Sequence, residues 1–163
     1  MLSRLRRYFT IASAAAVVIA LIGLIAIWAG IPLLFASLGP TVAIQASKPR
    51  QRIAYPWNVA AGHLIALGIG VAALHASGAI AQPPFLDSHP LSFARVSAAA
   101  FALGIGIFVE YLLKASHPPA ASTSLLVTLG AVQINERGLI GVVSGILLVT
   151  IFGEVIRQLR LRL

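Results

Sequence analysis

At 163 residues the chain has room for one domain. It is 59% hydrophobic and only 10% charged, with a mean hydropathy of +0.96. A soluble domain carries about 45–50% apolar and about 25% charged residues, so the polar residues here are too few to cover a water-facing surface. This argues against a disordered chain and against a soluble enzyme. The absence of cysteine excludes disulfides, a thiolate nucleophile and a cysteine metal site. The formal charge of +8 suggests nucleic acid until its placement is read. No Lys, Arg, Asp or Glu occurs in 8–47 or in 53–86. Basic groups flanking long apolar runs fit an integral membrane protein in contact with a lipid bilayer, not a nucleic-acid partner.

In chain order, Ile11 to Ala29 reads as the first transmembrane helix, after Arg4, Arg6 and Arg7. It exceeds a signal-peptide core in length, and further spans follow, so it reads as retained. Residues 33–47 form a short apolar piece, interrupted by Gly39-Pro40. Residues 57–79 form a second long span. Residues 80–91 read as a loop, broken by Gln82-Pro83-Pro84 and Asp87-Ser88-His89-Pro90. Residues 93–113 form a third long span, 119–132 a second short piece, and 139–158 the last long span, after the polar turn Asn135-Glu136-Arg137-Gly138. The expected fold is an all-α, polytopic transmembrane bundle of four long helices and two short segments, which cross or re-enter. It forms a single domain over 1–163.

Charge bears on the crossing question. If the short segments cross and the N-terminus lies inside, Arg4, Arg6, Arg7, Lys48, Arg50, Arg52, Lys114, Arg157, Arg160 and Arg162 share the inner side. Only Arg95 and Arg137 then lie outside. If both segments re-enter, the split is 7 against 5 of the 12 basic residues. The positive-inside rule therefore favours six crossings with both termini cytoplasmic. An offset of 82 carries each boundary of the first half onto the second: 11–29 onto 93–111, 33–47 onto 115–129, and Thr41 onto Thr123. Three crossings per half make the repeat inverted, with halves about 8–80 and 91–160. Inverted repeats with interrupted short segments at matching positions are a recurrent transporter design.

The most unusual stretch is Ser116-His117-Pro118-Pro119-Ala120-Ala121-Ser122-Thr123-Ser124. Prolines suit a first helical turn, Ser116 or His117 suits its cap, and the N–H groups and hydroxyls of Ser122, Thr123 and Ser124 are donors for a small anion. The alternative is a helix start built from small residues for close packing. Asn58 and His63 lie in the first turns of the third segment, where Gly62, Gly68 and Gly70 permit close approach. An ionisable group inside a membrane is a functional candidate, and a His63 titrating near 6.5 would couple transport to protons. Its alternative is a neutral histidine bonded to a carbonyl. Glu110 and Lys114, and Glu154 and Arg157, are spaced as interfacial ion pairs. Trp28, Tyr55, Trp57 and Tyr111 fall near span ends, as an aromatic belt requires. Arg95 is placed to snorkel from its span end. His75 and His89 receive no role.

The His117-Pro118-Pro119 triplet, with the small and hydroxyl residues after it, resembles the HPP family of integral membrane proteins. Pro56-Trp57-Asn58-Val59-Ala60-Ala61-Gly62-His63 is similar to the family's Pro-x-Asn-Val-x-Gly-Gly-His block. Gly39-Pro40-Thr41-Val42 is similar to its Gly-Ala-Ser-Ala stretch. The chain departs from these patterns at Ala61, Ala121 and Pro40. The resemblance covers about residues 10–160 and implies four transmembrane helices. It also implies a small anion as substrate, nitrite first, since some plant and cyanobacterial members are associated with nitrite transport. The expected protein is a transporter or channel for a small monovalent anion in a bacterial inner membrane. Its expected site residues are Thr41, Asn58, His63, His117, Ser122, Thr123 and Ser124. No metal or cofactor is expected, no catalytic residue is assigned, and small residues on several helices leave room for a homo-oligomer. The alternatives are a sensing or scaffolding module without transport, and an intramembrane enzyme using His63, His117 and Glu110. The enzyme is disfavoured because His-Glu-x-x-His, paired-aspartate and Gly-x-Ser-x-Gly patterns are missing.

Overall fold

A computed structural model describes residues 1–85 and 89–162. The expected break at Asp87-Ser88 lies outside them. Among the described residues six α-helices follow one another: α1 Leu2–Ala29, α2 Leu38–Ser47, α3 Pro56–Ala76, α4 Phe93–Leu112, α5 Ala120–Thr128 and α6 Glu136–Arg162. Short 3₁₀ turns at Arg52–Ala54 and Ala79–Ala81 flank α3. Four helices, α1, α3, α4 and α6, are long and apolar enough to cross a membrane. Their outward faces carry large apolar side chains such as Leu24, Ile27, Phe101, Phe108, Leu147 and Ile151, all exposed. Burying one such side chain is worth about 1.5–3 kcal/mol, so these faces are built for lipid. Trp28, Trp57 and Tyr111 stand exposed at helix ends, as expected of interfacial aromatics.

Local chemistry sets the helix ends. Gly30 takes a left-handed φ of 64° and closes α1, its N–H bonding the carbonyls of Ala26 and Ile27. Pro56 occupies the first turn of α3, where no N–H is needed. Asn135 Oδ1 accepts the Gly138 N–H at 2.8 Å and starts α6.

The structure changes four sequence expectations here. α1 begins at Leu2, well before Ile11, so its basic residues are helical. Gly39-Pro40 does not interrupt the short segment. It lies in the first turn of α2, where proline is tolerated, and the non-helical part is the stretch before Leu38. Neither Ser116 nor His117 caps α5 with its side chain: the first-turn N–H groups of Ala120, Ala121 and Ser122 donate to the carbonyls of His117, Pro118 and Pro119. α6 starts at Glu136, taking in most of the expected polar turn.

Contacts along α6 show the course of the first short segment. The Arg137 guanidinium donates to Gly30 O, Gly141 abuts Pro32, Gly145 abuts Leu33 and Phe35, Gly153 abuts Gln45, and Arg157 donates to Pro49 O at 2.9 Å. From Arg137 to Arg157 is about 30 Å of helix at 1.5 Å per residue. The segment therefore runs from one end of the bundle to the other, first extended and then helical. The second short segment does the same along α3. Asn58 bonds the carbonyls of Lys114 and Ser116, Gly62 abuts Ala115 and His117, and Gly70 abuts Val127. Extended backbone covers about 3.3 Å per residue against 1.5 Å in a helix, so 15 residues suffice where a helix would fall short. This course gathers the basic residues flanking α1, α2, α4 and α6 at one end of the bundle, leaving Arg95 and Arg137 at the other.

The partners of Gly62 and Gly145 correspond at the 82-residue offset, Ala115 with Leu33 and His117 with Phe35, as do those of Gly70 and Gly153, Val127 with Gln45; the glycines themselves stand one residue off it. Each third helix of a half packs on the short helix of the other half: α3 on α5, and α6 on α2. The core divides likewise. One cluster joins Val18, Ile22, Leu38, Val42 and Val149 around α2. The other joins Leu67, Leu74, Ala98, Ala102 and Val127 around α5.

Candidate functional site

The two short segments meet through polar side chains in the interior. Thr41 lies in the first turns of α2, one turn beyond Ser37. Thr123 lies in the first turn of α5. α3 brings His63 between them, because Gly62 beside it lets the 115–117 backbone come close: a Cβ on Gly62 would lie 2.9 Å from His117 Cβ and 3.1 Å from Ala115 O. The rings of His63 and His117 stand 5.0 Å apart between centroids. Thr41 Oγ1 is 2.9 Å from His63 Nε2 and 3.0 Å from His117 Nε2. Thr123 Oγ1 is 2.8 Å from His63 Nδ1 and 2.8 Å from Ser37 Oγ. His117 Nδ1 donates to Ile53 O at 2.7 Å. Ser37, Thr41, His63, His117 and Thr123 are all buried.

Of the seven expected site residues, four therefore come together: Thr41, His63, His117 and Thr123. Asn58 stands one turn before them and uses its amide on Lys114 O at 3.2 Å and Ser116 O at 3.0 Å, holding the His117 segment in place. Ser124 Oγ donates to Ala121 O of its own helix. Ser122 joins no hydrogen bond of the cluster. The α5 first turn offers fewer donors than its sequence suggests, because its N–H groups are bonded within the turn.

Ser37 belongs to the cluster and was not anticipated. Its one-turn spacing before Thr41 is the signal that would have found it. Glu110 and Lys114 do not pair. Lys114 turns out of α4 in a left-handed conformation, φ 54°, and the Glu110 carboxylate accepts the His117 backbone N–H at 3.0 Å. Glu154 and Arg157 do pair, at 2.6 Å. Arg95 does not snorkel: it is buried, and its guanidinium donates to Pro83 O, Thr128 O and Gln82 O at 2.8, 2.7 and 2.6 Å. A guanidinium offers five donors in a fixed fork, and here it ties α4, α5 and the 82–84 loop together. Gln45 is buried, and neither amide atom is bonded among the described residues. Among the described residues no group of three or more His, Asp and Glu is placed to hold a metal.

The cluster itself is closed, but a cavity of about 370 Å³ approaches it from the Arg137 end. Pro32, Phe35, Gln133, Arg137 and Gly138 are among its walls. Phe35 lines this cavity and meets the His63 ring edge-on at 6.4 Å. It stands between the open cup and the closed histidines.

A helical membrane bundle with a polar cluster between two broken segments is the class that this geometry defines. Residues 2–162 match the family model described as HPP, transmembrane region, and the chain belongs to that family. No curated protein and no solved structure matches it. The protein is an integral membrane protein in contact with the lipid bilayer.

Proposed function

We propose that the protein transports a small monovalent anion, nitrite first among candidates, through the cluster where its two broken segments meet. The observation that carries the reading is the convergence of Thr41, His63, His117 and Thr123 between α2, α3 and α5. A structural core has no use for two histidines and three hydroxyls in its middle, since each buried polar group is costly unless bonded. An anion can exchange for these bonds, because hydroxyls and imidazole N–H groups are donors that can turn toward it. None carries a fixed full charge, so the anion can also leave. The cavity with Arg137 and Gln133 on its walls forms the cup on one side, and Phe35 closes it. The matched glycine contacts support an inverted pair of halves, in which rocking of one half against the other opens the cluster to alternate sides.

The collection of basic residues at one end supports an N- and C-terminus on the cytoplasmic side of a bacterial inner membrane. No catalytic role is proposed for His63, His117 or Glu110: Glu110 is engaged by a backbone N–H, and each histidine by hydroxyl or carbonyl neighbours. A scaffolding module is disfavoured by the polar interior, since a scaffold needs only apolar packing. The test is uptake by proteoliposomes offered nitrite, nitrate, chloride and formate. Nitrite uptake above protein-free liposomes, competed by few of the others, is expected. Nitrite uptake no greater than that of protein-free liposomes overturns the reading.

A further inference from the structure

We infer that Gln45 is a further anion-binding residue, the inner station of the path, covered here by α6 and offered to the anion when α2 and α6 part. This rests on the transport reading above. The cup of about 370 Å³ serves the Arg137 end of the bundle. On the other side of the cluster, the next polar side chain along α2 after Thr41 is Gln45. It follows Thr41 by one turn, about 6 Å of helix. Ser37, Thr41 and Gln45 recur every fourth residue and lead from the cluster toward Lys48 and the basic end.

Gln45 is fully buried, and neither its Nε2 nor its Oε1 has a hydrogen-bond partner among the described residues. An unbonded amide in the interior is costly, and packing does not require one. At the 82-residue offset Gln45 corresponds to Val127, whose aliphatic side chain fills the equivalent seat against Gly70. In the first half the seat lies against Gly153 and holds an amide instead. A Cβ on Gly153 would coincide with that amide, so the glycine makes room for it. A burial rule obeyed in one half and broken in the other marks a position kept for function.

The surroundings select an anion over a cation. One turn beyond Gly153, α6 carries Arg157, and three residues further Arg160. Arg157 donates to Pro49 O at 2.9 Å, and Arg160 Nε donates to Ala46 O at 3.2 Å. Glu154 is paired with Arg157 at 2.6 Å, which leaves the positive charge of Arg160 beside the end of α2. The two guanidinium–carbonyl bonds hold that end against α6. α2 belongs to the first half of the repeat and α6 to the second, so the rocking proposed above opens the seam between them. Both bonds then break, the amide loses its cover, and the two N–H groups of Nε2 reach an anion oxygen one turn from Thr41. Closing of the seam restores the carbonyl bonds and takes the site away.

The chain has no cysteine, so a single introduced thiol reports on this one position. Gln45→Cys is offered a membrane-impermeant methanethiosulfonate in inside-out and in right-side-out vesicles, with and without nitrite. Modification is expected from the cytoplasmic side alone and should slow several-fold in nitrite. Val127→Cys, at the equivalent seat, should stay unmodified from that side. No modification of Gln45→Cys from the cytoplasmic side overturns the inference. Modification indifferent to nitrite shows an amide bonded by water only, and overturns it as well. Gln45→Met supplies the second measurement. Its unfolding midpoint in anion-free detergent should be at or above that of wild type, while initial nitrite uptake at limiting nitrite falls about tenfold, the effect of one hydrogen bond to a charged ligand. A residue of merely structural use would not lose uptake as it gained stability. Full uptake by folded Gln45→Met overturns the station and leaves transport standing. If wild type takes up no nitrite, the transport reading falls, and the labelling still decides whether an anion binds at Gln45.

Discussion

Gly62 and Gly68 sit fewer than two turns apart on α3 and should respond oppositely to the same substitution. Alanine in a helix interior is favoured over glycine by about 1 kcal/mol. At Gly68 a Cβ meets nothing within 4 Å, so Gly68→Ala should stabilise by about 0.5–1 kcal/mol. At Gly62 the Cβ would lie 2.9 Å from His117 Cβ and 3.1 Å from Ala115 O. Both neighbours belong to a segment that Asn58 pins and that cannot retreat cheaply. Overpacking of this kind costs about 1–3 kcal/mol, which offsets or exceeds the helix gain. The segment can relieve the clash by moving away from α3, which carries His117 off Thr41 and Ile53. Gly62→Ala should therefore show a lower unfolding midpoint than Gly68→Ala, by about 1–3 kcal/mol in detergent unfolding, and should lose uptake as well. If both alanines shift the midpoint equally and both transport normally, the close approach of the 115–117 segment to α3 is refuted.

Gln45 has no partner for its buried amide, and leaving such a group unsatisfied costs about 1–3 kcal/mol. Gln45→Met, of similar length, should raise stability by about that amount in the same unfolding assay, and a loss would show that the amide is bonded in the working protein. Arg95 holds three carbonyls, so Arg95→Met should destabilise by about 3 kcal/mol or more. Arg95→Lys should recover only part of that, since an ammonium lacks the planar fork; full recovery would show that charge alone matters there. Phe35→Ala removes the ring between the cup and His63. It should raise passive anion leak through reconstituted protein several-fold, and an unchanged leak would remove Phe35 as the closure.

Much of the architecture was legible in hydropathy, because lipid demands long apolar faces and leaves charges only at the ends. The spans recur within a few residues at α3, α4 and α6. The start of α1 is not legible, because its basic first turns look like a flank, though nothing in Arg4, Arg6 or Arg7 stops a helix. The Gly39-Pro40 pair was misplaced for a related reason. Proline breaks a helix interior but suits a first turn, and sequence alone does not say which turn it occupies. Thr41, His63, His117 and Thr123 were legible as polar residues in apolar company. Asn58 was legible as polar, but its use in pinning a loop depends on the 114–116 carbonyls, which no motif reveals. Arg95 and Glu110 were misjudged because i,i+4 spacing and span-end position describe one helix. Their partners, Gln82 to Pro83, Thr128 and His117, come from other elements.

The central claim is that an anion passes where Thr41, His63, His117 and Thr123 meet. Its most direct test is initial nitrite uptake by proteoliposomes carrying wild type, Thr123→Val or His117→Ala at matched protein content. The account predicts uptake by wild type above protein-free vesicles, and a loss of about tenfold or more in each variant, in line with the removal of one hydrogen bond to a charged ligand. Wild-type uptake retained in full by both folded variants would contradict it.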